Sequence, residues 1–235
     1  MYAPLYWTLM TSSTQTFSLA IFCDFDGTFA IEDVGSTLAR KHLSKRRSLL
    51  WEKLTMGDLD PWRYASELFG GFEFSEAETD KFLESVSLDP GAHDLLRWCK
   101  VREVPFRILS DGFDRNLDKI QQHQQVFFDY DANHLEILGD RWHVTPGYPD
   151  VSCGCGTGVC KKSRIQKFVV KNPEVRTVHI GNGRVSDLCA SLFVDYVFAK
   201  ETLAEELEER NHRFIKFDTL FDVIDSLDKI VRPRI

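Results

Sequence analysis

The chain has 235 residues, 43% of them hydrophobic, with 29 Lys and Arg against 36 Asp and Glu for a net charge of −7. This acidic, ordinary globular composition argues against a nucleic-acid groove or a polybasic membrane surface, and no run of about 18 apolar residues is present to span a bilayer. Six cysteines are too sparse for a disulfide scaffold, and the length suits one large domain or a core carrying an insertion.

In chain order, no Lys or Arg occurs before Arg40, so the basic region of a secretory leader is missing. Met1–Thr16 is expected to be a loosely docked tail, and the protein cytoplasmic. The apolar run Leu19–Cys23 reads as a buried strand. From about Ile31 to Val86 there is no strand pattern. Helical stretches occur instead, with a capping box at Ser75-x-x-Glu78, which predicts a helical insertion of about 55–70 residues. Asp89-Pro90 opens a helix over His93–Arg102. A strand at Phe106–Leu109, a helix from Asp114 or Asn116 to Gln125, and a hairpin within Phe127–Val144 follow, turning at Leu138-Gly139-Asp140. A helix from Ser163 to about Lys171 comes next. Strands at Thr177–Ile180, Val194–Phe198 and Phe214–Phe217 alternate with helices over Glu201–Arg210 and Thr219–Leu227. Short apolar strands alternating with helices predict an α/β fold with a doubly wound parallel sheet. The expected division is residues 17–31 and 104–235 for the core, 32–103 for the insertion with its hinges, and 1–16 for the tail.

The residues with most chemical content are Asp24-Phe25-Asp26-Gly27-Thr28, directly after the first strand. Side chains two apart on an extended chain share a face, so Asp24 and Asp26 can converge on one ligand at the strand's C-terminal end, where open α/β sheets bind ligands. Gly27 permits a sharp turn and leaves amides free for an anion.

Asp-x-Asp-Gly-Thr after a first strand resembles the first motif of the haloacid dehalogenase-like phosphatases. That resemblance implies three further motifs in order. Phe106-Arg-Ile-Leu-Ser110-Asp111-Gly112 fits the second, with Ser110 holding a phosphoryl oxygen. The third is a Lys before a helix; of Lys161 and Lys162, Lys161 matches relatives in which the Lys directly follows a Cys. The fourth is Gly181-Asn182-Gly183-Arg184-Val185-Ser186-Asp187, where Asn182 stands at a position the family fills with an acid. An Asn oxygen can still face Mg²⁺, without the charge. The insertion between motifs one and two matches the family's helical type-1 cap.

The resemblance implies that Asp24 is the nucleophile, Asp26 the general acid and base, and Ser110 and Lys161 phosphoryl-binding. Gly27, Thr28, Asp33, Asp111 and Gly112 would contact substrate or phosphate. Mg²⁺ would be held by Asp24, Asp26, Asn182 and Asp187. The implied partner is a small phosphorylated metabolite, with oligomeric state left open. The Gly/Cys-rich approach to Lys161, Cys153-Gly-Cys155-Gly-Thr-Gly-Val-Cys160, is similar to that of the phosphoserine-phosphatase-like branch. Within it the nearest resemblance is to methionine-salvage phosphatases acting on 2-hydroxy-3-keto-5-methylthiopentenyl-1-phosphate. Two alternatives remain: a phosphoserine phosphatase, for which Arg63 is a candidate carboxylate partner, and a noncatalytic phosphometabolite binder. Three readings of the cysteine cluster also stay open: a zinc site completed by His143 or Cys189, a redox pair, or glycine-rich loop packing.

Overall fold

The computed structural model describes residues 18–231; the expected tail, Met1–Thr16, lies outside the described residues. Seven strands form one sheet: β1 (Leu19–Cys23), β2 (Phe106–Phe113), β3 (Asp129–Leu138), β4 (Arg141–Thr145), β5 (Arg176–Gly181), β6 (Tyr196–Ala199) and β7 (Ile215–Lys216). Their order is β4-β3-β2-β1-β5-β6-β7. Every neighbouring pair is parallel except β3–β4, the hairpin. All five residues of β1 are buried, as a central strand covered on both faces requires.

Four helices follow β1 and its turn: α1 (Val34–His42), α2 (Ser44–Met56), α3 (Pro61–Phe69) and α4 (Glu76–Leu83). Each has a legible boundary. Asp33 caps α1 by accepting from the Ser36 amide, Asp60 precedes Pro61 at the start of α3, and the Ser75–Glu78 capping box forms in full at α4. A fifth helix, α5 (Ala92–Val101), belongs to the main core. Its Ala92, Leu95, Trp98 and Cys99 join the main core, and Trp98 Nε1 donates to Asp228 Oδ1 (2.8 Å) on α10 (Leu220–Val231). The helix begins after Gly91, because Asp89 Oδ1 accepts from both the Gly91 and Leu220 amides.

On one face of the sheet, α5, α6 (Asp114–Gln124) and α10 enclose a core that includes Leu19, Ile21 and Ile108. On the other face, α7 (Lys161–Lys171) covers Ala20, Phe22 and Leu109. The inserted helices rest on the hairpin through Phe69, Phe72, Phe113 and Trp142. Trp142 is fully buried, and its Nε1 donates to the Phe74 carbonyl (3.1 Å). Truncating such a residue costs about 3–5 kcal/mol, so this seam fixes where the helices stand over the C-terminal ends of β1, β2 and β5.

Candidate active site

The chain leaves β1 at Asp24 and turns at once through Phe25–Phe29. Gly27 takes a left-handed conformation (φ 73°), and a Cβ there would fall 2.3 Å from Asn182 Nδ2. Glycine is therefore required twice over, by backbone and by space. The turn directs Asp24 toward the sheet interior, where its Oδ1 accepts from Lys161 Nζ (2.5 Å). The same ammonium donates to Asp187 Oδ1 (2.6 Å). Lys162 takes no part; its ammonium lies over the Phe193 ring.

Asp187 is the most heavily bonded group in the site. Its Oδ1 also faces His179 Nε2 (3.1 Å), and its Oδ2 accepts from the Asn182 and Gly183 amides. Burial opposes its charge, but Lys161 and His179 outweigh burial and hold the carboxyl well below the usual range. Burial likewise opposes the Lys161 charge, and the two carboxylates outweigh it, raising its pKa above the ordinary lysine value. Asp24 moves the other way. Burial and the Asp187 charge push it up to about 7 against the pull of Lys161.

Asp26 faces the opposite side of the turn. Its Oδ1 accepts from the Val34 amide at the start of α1 (2.7 Å), and Ser110 Oγ donates to its Oδ2 (3.4 Å). Burial first, then the Asp33 and Asp24 charges, raise its pKa well above the carboxylate range. Two carboxyl groups two residues apart thus have different surroundings, one on a lysine and one on a hydroxyl and a helix amide, which is how acid and nucleophile roles are separated.

Ser110 lies within β2, which runs on to Phe113 because Phe113 pairs with Asn133 on β3. The Gly112 amide donates to Ser110 Oγ (3.0 Å). The Asp111 carboxyl is turned toward the loop before α7: it accepts from the Val159 amide (3.0 Å) and from Asn133 Nδ2 (3.1 Å). Burial raises it to about 6. This carboxyl ties two motif-bearing loops together, leaving the backbone beside it to face the cavity. Thr28 Oγ1 donates to Asn182 Oδ1 (3.2 Å). Asp33 combines helix capping with a place on the cavity wall.

Above these residues is a cavity of about 640 Å³. Its floor includes Asp24, Asp26, Ser110, Gly112 and Asn182, and its roof includes Trp51, Leu54, Tyr64 and Leu68 from α2 and α3. Arg47 on α2 also lines it. Arg63 does not: it points outward in a solvent-exposed pair with Glu67 (3.7 Å), and the arginine on the cavity wall is Arg47, on α2 instead of α3.

Three contributors lie outside the four motifs. His179 sits in the middle of β5, fully buried, with its second ring nitrogen lacking a partner among the described residues; a lone His in an apolar strand is its signal in the sequence. Asn133 bridges the Asp111 and Gly147 segments. Glu201, at the start of α9 (Glu201–Glu209), accepts from Asn182 Nδ2 (2.9 Å). That contact returns a carboxylate to the neighbourhood where Asn182 replaces the family's acid.

The donor set suits a hard divalent cation. Asp24, the Asp26 carbonyl and Asn182 Oδ1 belong to two loops that meet at Gly27, and they offer only oxygen. The site also already holds a buried positive charge between two carboxylates.

No family model matches the chain. Curated proteins do. It is 26% identical over 226 residues to the 2-hydroxy-3-keto-5-methylthiopentenyl-1-phosphate phosphatase of Bacillus mycoides, covering 93% of this chain and all of that one. It is 27% identical to the protein of that name from Geobacillus kaustophilus, covering 92% and 98%. Among solved structures, a HAD family hydrolase from Salmonella enterica serovar Typhi superposes with a TM-score of 0.67 at 19% identity, over 88% of this chain and 71% of that one. A substrate-bound phosphoserine phosphatase gives 0.65 at 17%, over 90% and 99%. Along most of its length the chain is similar to these phosphatases and shares the fold of the haloacid dehalogenase-like structures. The named relatives and the shared fold support a phosphoric monoester hydrolase. The structure brings Asp24 and Asp187 into direct contact with Lys161.

Proposed function

We propose that this hydrolase removes phosphate from a small-metabolite monoester with Mg²⁺ and a phosphorylated Asp24, and that its substrate is 2-hydroxy-3-keto-5-methylthiopentenyl-1-phosphate. The observation that carries the reading is the Asp24–Lys161–Asp187 chain beneath Asp26, at the polar floor of a cavity with an apolar roof. A phosphate end would meet the floor, and a methylthio-alkyl end would meet Trp51, Leu54, Tyr64 and Leu68.

An Asp24 oxygen attacks phosphorus, and the phosphorus–oxygen bond to the metabolite breaks as the acyl phosphate forms. Asp26, whose surroundings push its carboxyl well above the ordinary aspartate value, gives its proton to the departing oxygen. Its carboxylate then takes a proton from a water that attacks the same phosphorus, releasing phosphate and restoring Asp24. Lys161, Ser110 and the turn amides face the equatorial oxygens, where charge must be offset. Mg²⁺, when bound, adds positive charge there and favours ionised Asp24; Asp24, the Asp26 carbonyl and Asn182 would hold it, with Asp187 orienting Lys161. A cytoplasmic place of action is part of the same proposal.

A second reading has one observation in its favour. Arg47 in the roof could pair with the carboxylate of phosphoserine. A Mg²⁺-dependent screen of monoesters, with both compounds included, tests the proposal. Highest kcat/KM on the methylthio-ketose phosphate is expected. Preference for phosphoserine supports the second reading, and no release from any monoester refutes both.

A further inference from the structure

From the position of four sulfurs outside the cavity we infer that the protein carries a tetrathiolate zinc site formed by Cys153, Cys155, Cys160 and Cys189. All four Sγ atoms lie within 4.8 Å of one another. Sulfurs bound to one tetrahedral zinc at about 2.3 Å stand roughly 3.8 Å apart, so the ion enters with shifts of well under one ångström per side chain. Cys189 supplies the fourth ligand; His143 lies in the β3–β4 hairpin, paired across from Glu136.

The local structure explains why the sulfurs converge. Gly154 and Gly156 adopt left-handed conformations (φ 73° and 67°), turning the loop so that Cys153 and Cys155 face the same point. Cys160 caps α7, and Cys189 lies on α8 (Leu188–Ser191), the short helix after Asp187. Donors typical of an outer shell around thiolates are present: the Ser163 amide donates to Cys160 Sγ (3.5 Å), and Thr157 Oγ1 is 3.2 Å from Cys155 Sγ. Two disulfides would need only two short pairs, whereas here all six sulfur–sulfur separations are short. Soft thiolates in tetrahedral array select zinc over magnesium. With four protein ligands the site has no open position, so its role is structural.

Its placement gives that role a purpose. Cys160 immediately precedes Lys161, and Cys189 is two residues beyond Asp187. One ion therefore joins the segments carrying the two ends of the Lys161–Asp187 pair. None of the four cysteines lines the catalytic cavity, so the site is distinct from the Mg²⁺ position.

Elemental analysis of the full chain, purified without chelators, should give about one zinc per chain, and Cys189→Ser should lose most of it. Because that variant can fail to fold for other reasons, a second measurement uses the unaltered chain produced with cobalt: sulfur-to-cobalt charge-transfer bands and intense tetrahedral d–d bands are expected. In that chain four thiols should resist alkylation until the metal is removed. Zinc near zero, a disulfide among these cysteines in freshly purified protein, iron in zinc's place, or full zinc retained by Cys189→Ser would each overturn the inference.

Discussion

Asp24→Asn should make the metal-free protein more stable at alkaline pH while abolishing turnover. Burial and Asp187 raise the Asp24 carboxyl from 3.8 to about 7. At 1.36 kcal/mol per pH unit, keeping it ionised in the fold costs about 4 kcal/mol at most. The sign follows from the direction of the shift. Below pH 3.8 the carboxyl is protonated in both states and costs nothing. The penalty grows as pH rises, because the unfolded chain ionises first, and it is complete above about 7. Asn removes the charge but not the need to pair with Lys161, so about half of the ceiling, roughly 2 kcal/mol, should appear. For a chain of this size that is a midpoint about 4–8 °C higher at pH 8, shrinking to a small fraction at pH 4. Thermal unfolding followed by circular dichroism in Mg²⁺-free buffer reads this directly. Saturating Mg²⁺ should then reverse the order, stabilising the unaltered protein by about 2.7 kcal/mol at a hundred times its Kd and leaving the Asn variant almost unmoved. An Asn variant less stable at pH 8, or an offset independent of pH, would refute the reasoning.

Lys161→Met leaves Asp24 and Asp187 buried without their cation; a loss of about 3–5 kcal/mol in urea unfolding at pH 7 is expected, with activity gone. A variant as stable as the parent would show that the pair is not closed in solution. Glu201→Gln removes the carboxylate beside Asn182, and at about 1 kcal/mol of charge interaction it should raise the half-saturating Mg²⁺ concentration roughly fivefold; an unchanged titration would separate Glu201 from the metal. Gly27→Ala combines a left-handed backbone with a contact against Asn182. It should cost about 1–2 kcal/mol by thermal melt and far more in kcat, whereas a fully active variant would mean that the loop can shift freely.

How much of this was legible depended on whether local pattern or distant pairing decides each feature. The apolar run Leu19–Cys23 ends at Asp24, so β1 matches its expected bounds to the residue. β2 does not. Ser110-Asp111-Gly112 has turn composition, yet the strand continues to Phe113 through pairing with Asn133, 20 residues downstream. α7 begins at Lys161, two residues before the expected Ser163, because its cap is Cys160, a sulfur acceptor that composition rules overlook. β7 shortened to Ile215–Lys216 because only two residues reach β6 at the sheet edge. In the site, the order of motifs points to Asp24, Ser110, Lys161 and Asp187, and the fold puts Lys161 on both Asp24 and Asp187. The turn of Asp111 toward Val159, the replacement of Arg63 by Arg47 on the cavity wall, and the meeting of Glu201 with Asn182 arise from contacts between elements that no spacing encodes.

The most direct test of Asp24 as the nucleophile is chemical trapping. Protein mixed with substrate and Mg²⁺, quenched in acid within the first turnover and reduced with borohydride, should yield homoserine at position 24 in peptide mass spectra, with none in Asp24→Asn. Continued phosphate release with no modification at position 24, or modification at another residue, would contradict it.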